Sequence, residues 1–171
     1  KSWGKSMDRY RNVSIGTVVH CEGGYVAQNK SYDRDGKLIK TFEPTNKDDK
    51  SNFIDCVRSR RVSDLQSDVL EGHLSAALVH MANISYRTGK VADPDEIAAA
   101  AKGQSAMADA YERFVTHLDA NGIDIAKTPA VLGAALTMDP EKERFTGMLS
   151  RRANGLISRE YRKPFVVPRE V

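Results

Sequence analysis

The chain has 171 residues, 40% hydrophobic and 29% charged, with 26 basic and 23 acidic side chains and a net charge of +3. That length suits one domain with a core of its own and is too short for a cofactor domain plus a substrate domain. So small a charge excess gives no electrostatic case for binding nucleic acid or a membrane surface.

No run approaches the roughly 18 consecutive apolar residues that a membrane-spanning helix needs. The start at Lys1, with no basic-then-apolar leader, reads as the internal or processed start of a soluble chain, whether cytoplasmic or exported. Cys21 and Cys56 lack the C-x-x-C spacing of redox and zinc motifs and are expected as free thiols.

Residues 13–43 read as an antiparallel β-meander of three apolar runs: Val13 to Val19, then Tyr25 and Val26, then Leu38 to Phe42. Gly23-Gly24 marks the first turn. Asp33-Arg34-Asp35-Gly36 marks the second, since Asp opens a type I turn and Gly supplies the positive φ that closes it.

From Asp48 the period becomes helical, and residues 48–122 are expected to be helices. Phe53, Ile54 and Val57 form a one-sided stripe ending in Arg58, Arg60 and Arg61, cations that suit a helix C-terminus. The strongest helix runs over 68–87, with Leu70, Leu74, Ala77, Met81 and Ile84 on one core-facing side and Gly89 at the C-cap position. Asp93, Pro94 and Glu96 start the next helix as a near capping box. A further helix carries Met107, Tyr111, Phe114 and Leu118 and stops at Asn121-Gly122. Residues 123–171, interrupted by Pro140, Pro164 and Pro168, read as a mostly irregular arm.

Neither a G-x-G-x-x-G nor a G-x-x-x-x-G-K-[ST] string occurs, so no glycine-rich turn aims amide groups at a phosphate. Catalytic and cofactor-binding residues are therefore assigned to no position. Asp33-x-Asp35-Gly36 has part of a calcium-loop pattern, but Lys37 and Phe42 stand where further features are required, and a hairpin turn is the simpler reading.

His73 and His80 lie seven residues apart on one side of the long helix, with Arg87 a further seven along. Seven residues rise about 10 Å, too far for one metal whose ligands sit near 2 Å, so no metal site is assigned. His73, nearer the helix N-terminus, is the candidate for a substrate pocket. His20, which alternates with Glu22 along the first strand, and His117 near a helix end read as structural.

Asn52-Phe-Ile-Asp-Cys-Val-Arg-Ser-Arg-Arg61, followed by Glu71-Gly-His-Leu-Ser-Ala-Ala-Leu-Val-His-Met-Ala-Asn-Ile-Ser-Tyr-Arg87, closely resembles a passage of bacterial oxidoreductases of the glucose-fructose oxidoreductase, inositol dehydrogenase and MocA (Gfo/Idh/MocA) family. Ile15 to Val26, Asp35-Gly-Lys37, Asp139 to Phe145 and Arg159 to Pro168 agree in the same order. The resemblance implies an α+β C-terminal domain: an open antiparallel sheet with helices packed on one face, the other face serving oligomerisation. It implies further that a dinucleotide-binding domain with its phosphate loop and lysine, and the acid/base histidine that sits early in the second domain, would precede Lys1. The parent would then use NAD or NADP on a sugar or cyclitol, while this chain, a single domain over 1–171, holds no cofactor.

Two other functions compete with that expectation: a stand-alone binding or assembly module, and part of an NAD-dependent glycoside hydrolase. A three-stranded meander also leaves two edges and a face uncovered, with Val18, Tyr25 and Ile39 among the bare side chains. The chain is accordingly expected to form a homo-oligomer through 13–43, with the arm from Pro164 to Val171 reaching towards a neighbour.

Overall fold

The computed structural model describes residues 4–43 and 48–166. Helices and strands are mixed, as an α+β protein requires. The length suggested one domain; the chain groups into two compact units, Lys1–Asp68 with Gln104–Asp124, and Val69–Gly103 with Ile125–Val171.

The first unit holds an open antiparallel sheet of β1 (Val18–Cys21), β2 (Gly24–Ala27), β3 (Lys30–Asp33) and β4 (Leu38–Thr41), in that order. The meander therefore has four strands rather than three. The missed strand, β3, is polar on both sides of Tyr32 and shows no apolar alternation; its place is fixed by pairing with β2 and β4. Glu22 lies in the turn and not on the strand with His20, because β1 ends at Cys21. At the last hairpin the sequence reading holds. Asp33 Oδ1 accepts the amides of Asp35 (3.0 Å) and Lys37 (2.8 Å), and Gly36 takes φ 83°, so this carboxylate is occupied in closing the turn.

One face of the sheet is covered by the chain just before β1. Val13 N–H donates to the Tyr10 carbonyl at 2.9 Å across a tight turn in which Arg11 (φ 52°) and Asn12 (φ 65°) are both left-handed. That turn sets Val13 onto Tyr25 and Ala27, with Val18 and Tyr32 packed around them. Tyr25 is therefore only 8% exposed and Val18 half-buried, whereas Ile39 is bare as expected at 64%.

Helix α1 (Asp49–Ser59) is capped by Asp48, whose carboxylate accepts from the Ser51 hydroxyl and from the amides of Ser51 and Lys50. These bonds, the hydroxyl's first, hold its carboxyl below the ordinary aspartate range. Arg60 closes the helix in a left-handed C-cap, which makes the basic run a helix end. The one-sided stripe of Phe53, Ile54 and Val57 is exposed. The buried residue is Asn52, which donates to the Asp64 carbonyl (2.8 Å) and accepts from the Gln66 amide (2.9 Å), so it pins the 3₁₀ turn Val62–Asp64. A later helix of this unit, numbered α4 (Ser105–Ala120), ends where Gly122 takes φ 74° and Ile123 N–H returns to Leu118.

The second unit is built on α2 (Val69–Thr88), β5 (Lys90–Ala92) and α3 (Pro94–Ala101), the last opening with a complete capping box between Asp93 and Glu96. Residues 123–171, expected as an irregular arm, in fact carry β6 (Ala130–Leu132), β7 (Thr137–Asp139), β8 (Arg144–Thr146) and α5 (Ser150–Asn154). Strands of three residues are too short to show a period, which is why the sequence pattern missed them. β5 pairs with β6, and β7 with β8, both antiparallel. The arm's last residues, 167–171, with Pro168, lie outside the described residues.

Ile84 of α2, Phe145 and Ala153 make the core of this unit, with Met81, Leu136, Met138 and Leu156 against it. Asn154 behaves like an extra strand beside β8, accepting from Phe145 N–H and donating to its carbonyl, both at 2.9 Å. Only the C-terminal half of the α2 stripe reaches this core; Leu70 and Leu74 are exposed and Ala77 is half-buried.

Gly89 does not serve as a left-handed cap. A Cβ there would lie 2.3 Å from the Leu132 carbonyl oxygen, so glycine is required for β5 to approach β6. Gly89→Ala is therefore expected to destabilise the protein by about 1–3 kcal/mol, whereas Gly72→Ala, at an exposed helical position with nothing within 4 Å of the added carbon, stabilises it by about 0.5–1 kcal/mol. Urea unfolding midpoints of the two variants should move in opposite directions; a Gly89→Ala midpoint at or above that of the parent chain would contradict this packing.

Candidate functional site

His73, the sequence candidate, acquires a partner that no local spacing could reveal. Its Nε2 lies 2.6 Å from Oε1 of Glu143, seventy residues away. Helix α2 supplies the histidine, near its N-terminus, and the β7–β8 turn supplies the carboxylate.

The turn is shaped by Asp139, whose Oδ1 accepts the amides of Glu141 and Lys142, each at 3.1 Å. Lys142 Nζ reaches the other oxygen of Asp139 at 3.4 Å. The chain then passes through Glu143 at φ 49°, a left-handed conformation that a glutamate adopts at a cost of roughly 1–2 kcal/mol. The conformation aims the carboxylate back at α2.

The pair stands half in solvent, with His73 at 51% and Glu143 at 58% side-chain exposure. Its bond fixes the orientation of the imidazole, while Nδ1 has no hydrogen-bond partner among the described residues. Such a couple can hold a ligand hydroxyl through one nitrogen and one carboxylate oxygen. Its openness suits surface recognition better than chemistry that must exclude water.

The other histidines are not drawn into this pair. His80 is exposed farther along α2 and has no partner among the described residues. His117 lies in the last turn of α4, with Nδ1 3.4 Å from the Asn121 amide nitrogen. His20 is hydrogen-bonded to the Tyr10 hydroxyl at 2.9 Å. Both cysteines are free thiols, Cys21 exposed and Cys56 half-buried. Among the described residues no group of three or more His, Cys, Asp or Glu side chains is placed to hold a metal ion, and no helix is long and apolar enough to cross a membrane.

Every strand pair among the described residues is antiparallel. A dinucleotide site of the doubly wound kind needs a parallel β-α-β unit with a glycine-rich turn at the helix N-terminus, and no such unit occurs among the described residues. Compared with family models, curated proteins and solved structures, the chain matches none.

If Glu143 is held in its left-handed turn for the sake of the His73 contact, then Glu143→Gly should relieve the backbone and forfeit only an exposed hydrogen bond. The variant is expected to be as stable as the parent or up to about 1 kcal/mol more so. A urea midpoint clearly below that of the parent would show that the glutamate side chain is structural.

Proposed function

We propose that the chain is the substrate-side and assembly part of an NAD(P)-dependent oxidoreductase acting on a sugar or cyclitol, of the kind its sequence resembles, with no cofactor site and no catalysis of its own. The observation that carries this reading is the open sheet. β4 is exposed at every position, Leu38 and Ile39 stand bare upon it, and β1 and β4 each have a single neighbour among the described residues.

An open edge of this kind is a template for further pairing. In the proposed role it is continued by strands from the rest of the enzyme or from a second copy. The His73–Glu143 pair supports the substrate-side half of the reading, since a polyhydroxylated ligand is recognised by exposed donor–acceptor pairs. The antiparallel topology supports the lack of a nucleotide site in this part.

The experiment is light scattering on the 171-residue chain at micromolar concentration. A homodimer or larger species is expected, and Ile39→Glu, which puts a charge on the bare edge strand, should return it to the 18.9 kDa of one chain with an unchanged far-ultraviolet spectrum. A parent chain that is already monomeric contradicts the assembly role. Calorimetric titration with NADH and NADPH should give no binding heat; a low-micromolar dissociation constant would overturn the non-catalytic part of the proposal.

A further inference from the structure

A second polar cluster lies on the sheet of the first unit, apart from the residues used above. His20, Tyr25 and Tyr32 are direct cross-strand neighbours on β1, β2 and β3 and so share a face. The Tyr25 and Tyr32 rings stack with centroids 4.9 Å apart. His20 sits against Tyr25 at 6.3 Å and against Tyr10 at 5.9 Å, and its Nε2 is hydrogen-bonded to the Tyr10 hydroxyl.

Two arginines meet the same rings and differ in what else they do. Arg113 of α4 lies over Tyr10 at 4.7 Å, and its guanidinium binds Asp8 through Nε (2.7 Å) and an Nη (2.8 Å). That bidentate bond holds the Asp8 carboxyl below its ordinary range. Arg11 lies over Tyr25 at 4.6 Å and near Tyr10 at 5.9 Å. It has no hydrogen bond or ion pair among the described residues, and its side chain is exposed.

Arg11 is held there at a cost. At φ 52° it occupies the left-handed region, where glycine or asparagine is the ordinary choice for such a turn. The guanidinium carbon sits over the Tyr25 ring, and the N–H groups of the fork have no hydrogen-bond acceptor among the described residues. His20 Nε2 is engaged with the Tyr10 hydroxyl, while Nδ1 is without a partner among the described residues and carries a proton in the tautomer in which that hydroxyl donates to Nε2. A guanidinium fork and an imidazole nitrogen that carries a proton in that tautomer lie beside the same two tyrosine rings, and both can donate.

We propose that Arg11 and His20, seated on Tyr10 and Tyr25, form a binding site for a small oxyanion, the carboxylate or phosphate group of a ligand. The fork donates to two oxygens of the anion in its plane, and His20 Nδ1, in its protonated tautomer, donates a hydrogen bond to it from the side. Asp8 does not compete, because Arg113 already neutralises it.

The site is tested by nuclear magnetic resonance titration of the 171-residue chain at fixed pH with inorganic phosphate and, separately, with acetate, following the His20 ring and Arg11 Nε–H signals. Saturable shifts at both residues are expected, and the tighter of the two ions shows whether the natural ligand is a phosphate or a carboxylate. Arg11→Gly suits the left-handed turn and should keep the fold while weakening binding at least roughly tenfold; Arg11→Lys, which keeps the charge and loses the fork, should also weaken it. Shifts that stay linear throughout with both ions would overturn the proposal, as would an Arg11→Gly or Arg11→Lys variant that binds as the parent does.

Discussion

Two rows of backbone donors and acceptors, along the outer sides of β1 and β4, are the constraint on which the rest of the first unit depends. The sheet of four short strands closes on neither side. It cannot cover both faces either, and the chain deals with one face locally by folding the Tyr10–Val13 turn over Tyr25 and Ala27. What is left bare, β4 with Ile39 and the apolar side chains of α1, is the surface that assembly would bury. An open edge strand of this kind is a template for pairing with another strand.

Close backbone geometry does much of the remaining work, because both hydrophobic clusters are small. Gly89 lets β5 come up against β6, Asn154 stands in for a strand beside β8, and Asn52 fastens the first turn of α1 to the following 3₁₀ turn. Arg11 and Glu143 are non-glycine residues in left-handed turns, and each carries a charged side chain that the turn aims at a histidine-bearing surface. Strain persists only where the surroundings over-determine it. In Arg11 the stack on Tyr25 supplies that constraint; in Glu143 the Asp139 turn supplies it.

The α+β class, the Asp33–Gly36 hairpin, the Asp93 cap and the stop at Gly122 were legible in the sequence, because the turns and the cap rest on chemistry within four residues or so. β3 was not, since Lys30, Ser31 and Asp33 give no apolar alternation and pairing alone makes them a strand. The stripe on α2 misled in its first half: its period is right, but the core of its unit extends only as far as Met81 and Ile84. Of the candidate site, His73 was found from its helical position, while Glu143 was out of reach across seventy residues of sequence. Tyr10, the partner of His20, lay only ten residues away but outside any recognisable element.

The central claim is that the edge of β4 is completed by another strand when the protein is assembled. Amide hydrogen exchange over Leu38–Thr41, followed at several protein concentrations, tests it most directly. The account predicts outward-facing β4 amides whose protection rises with concentration, while the buried amides around Tyr25 stay protected throughout. Exchange of the β4 edge at loop-like rates, independent of concentration, would contradict it.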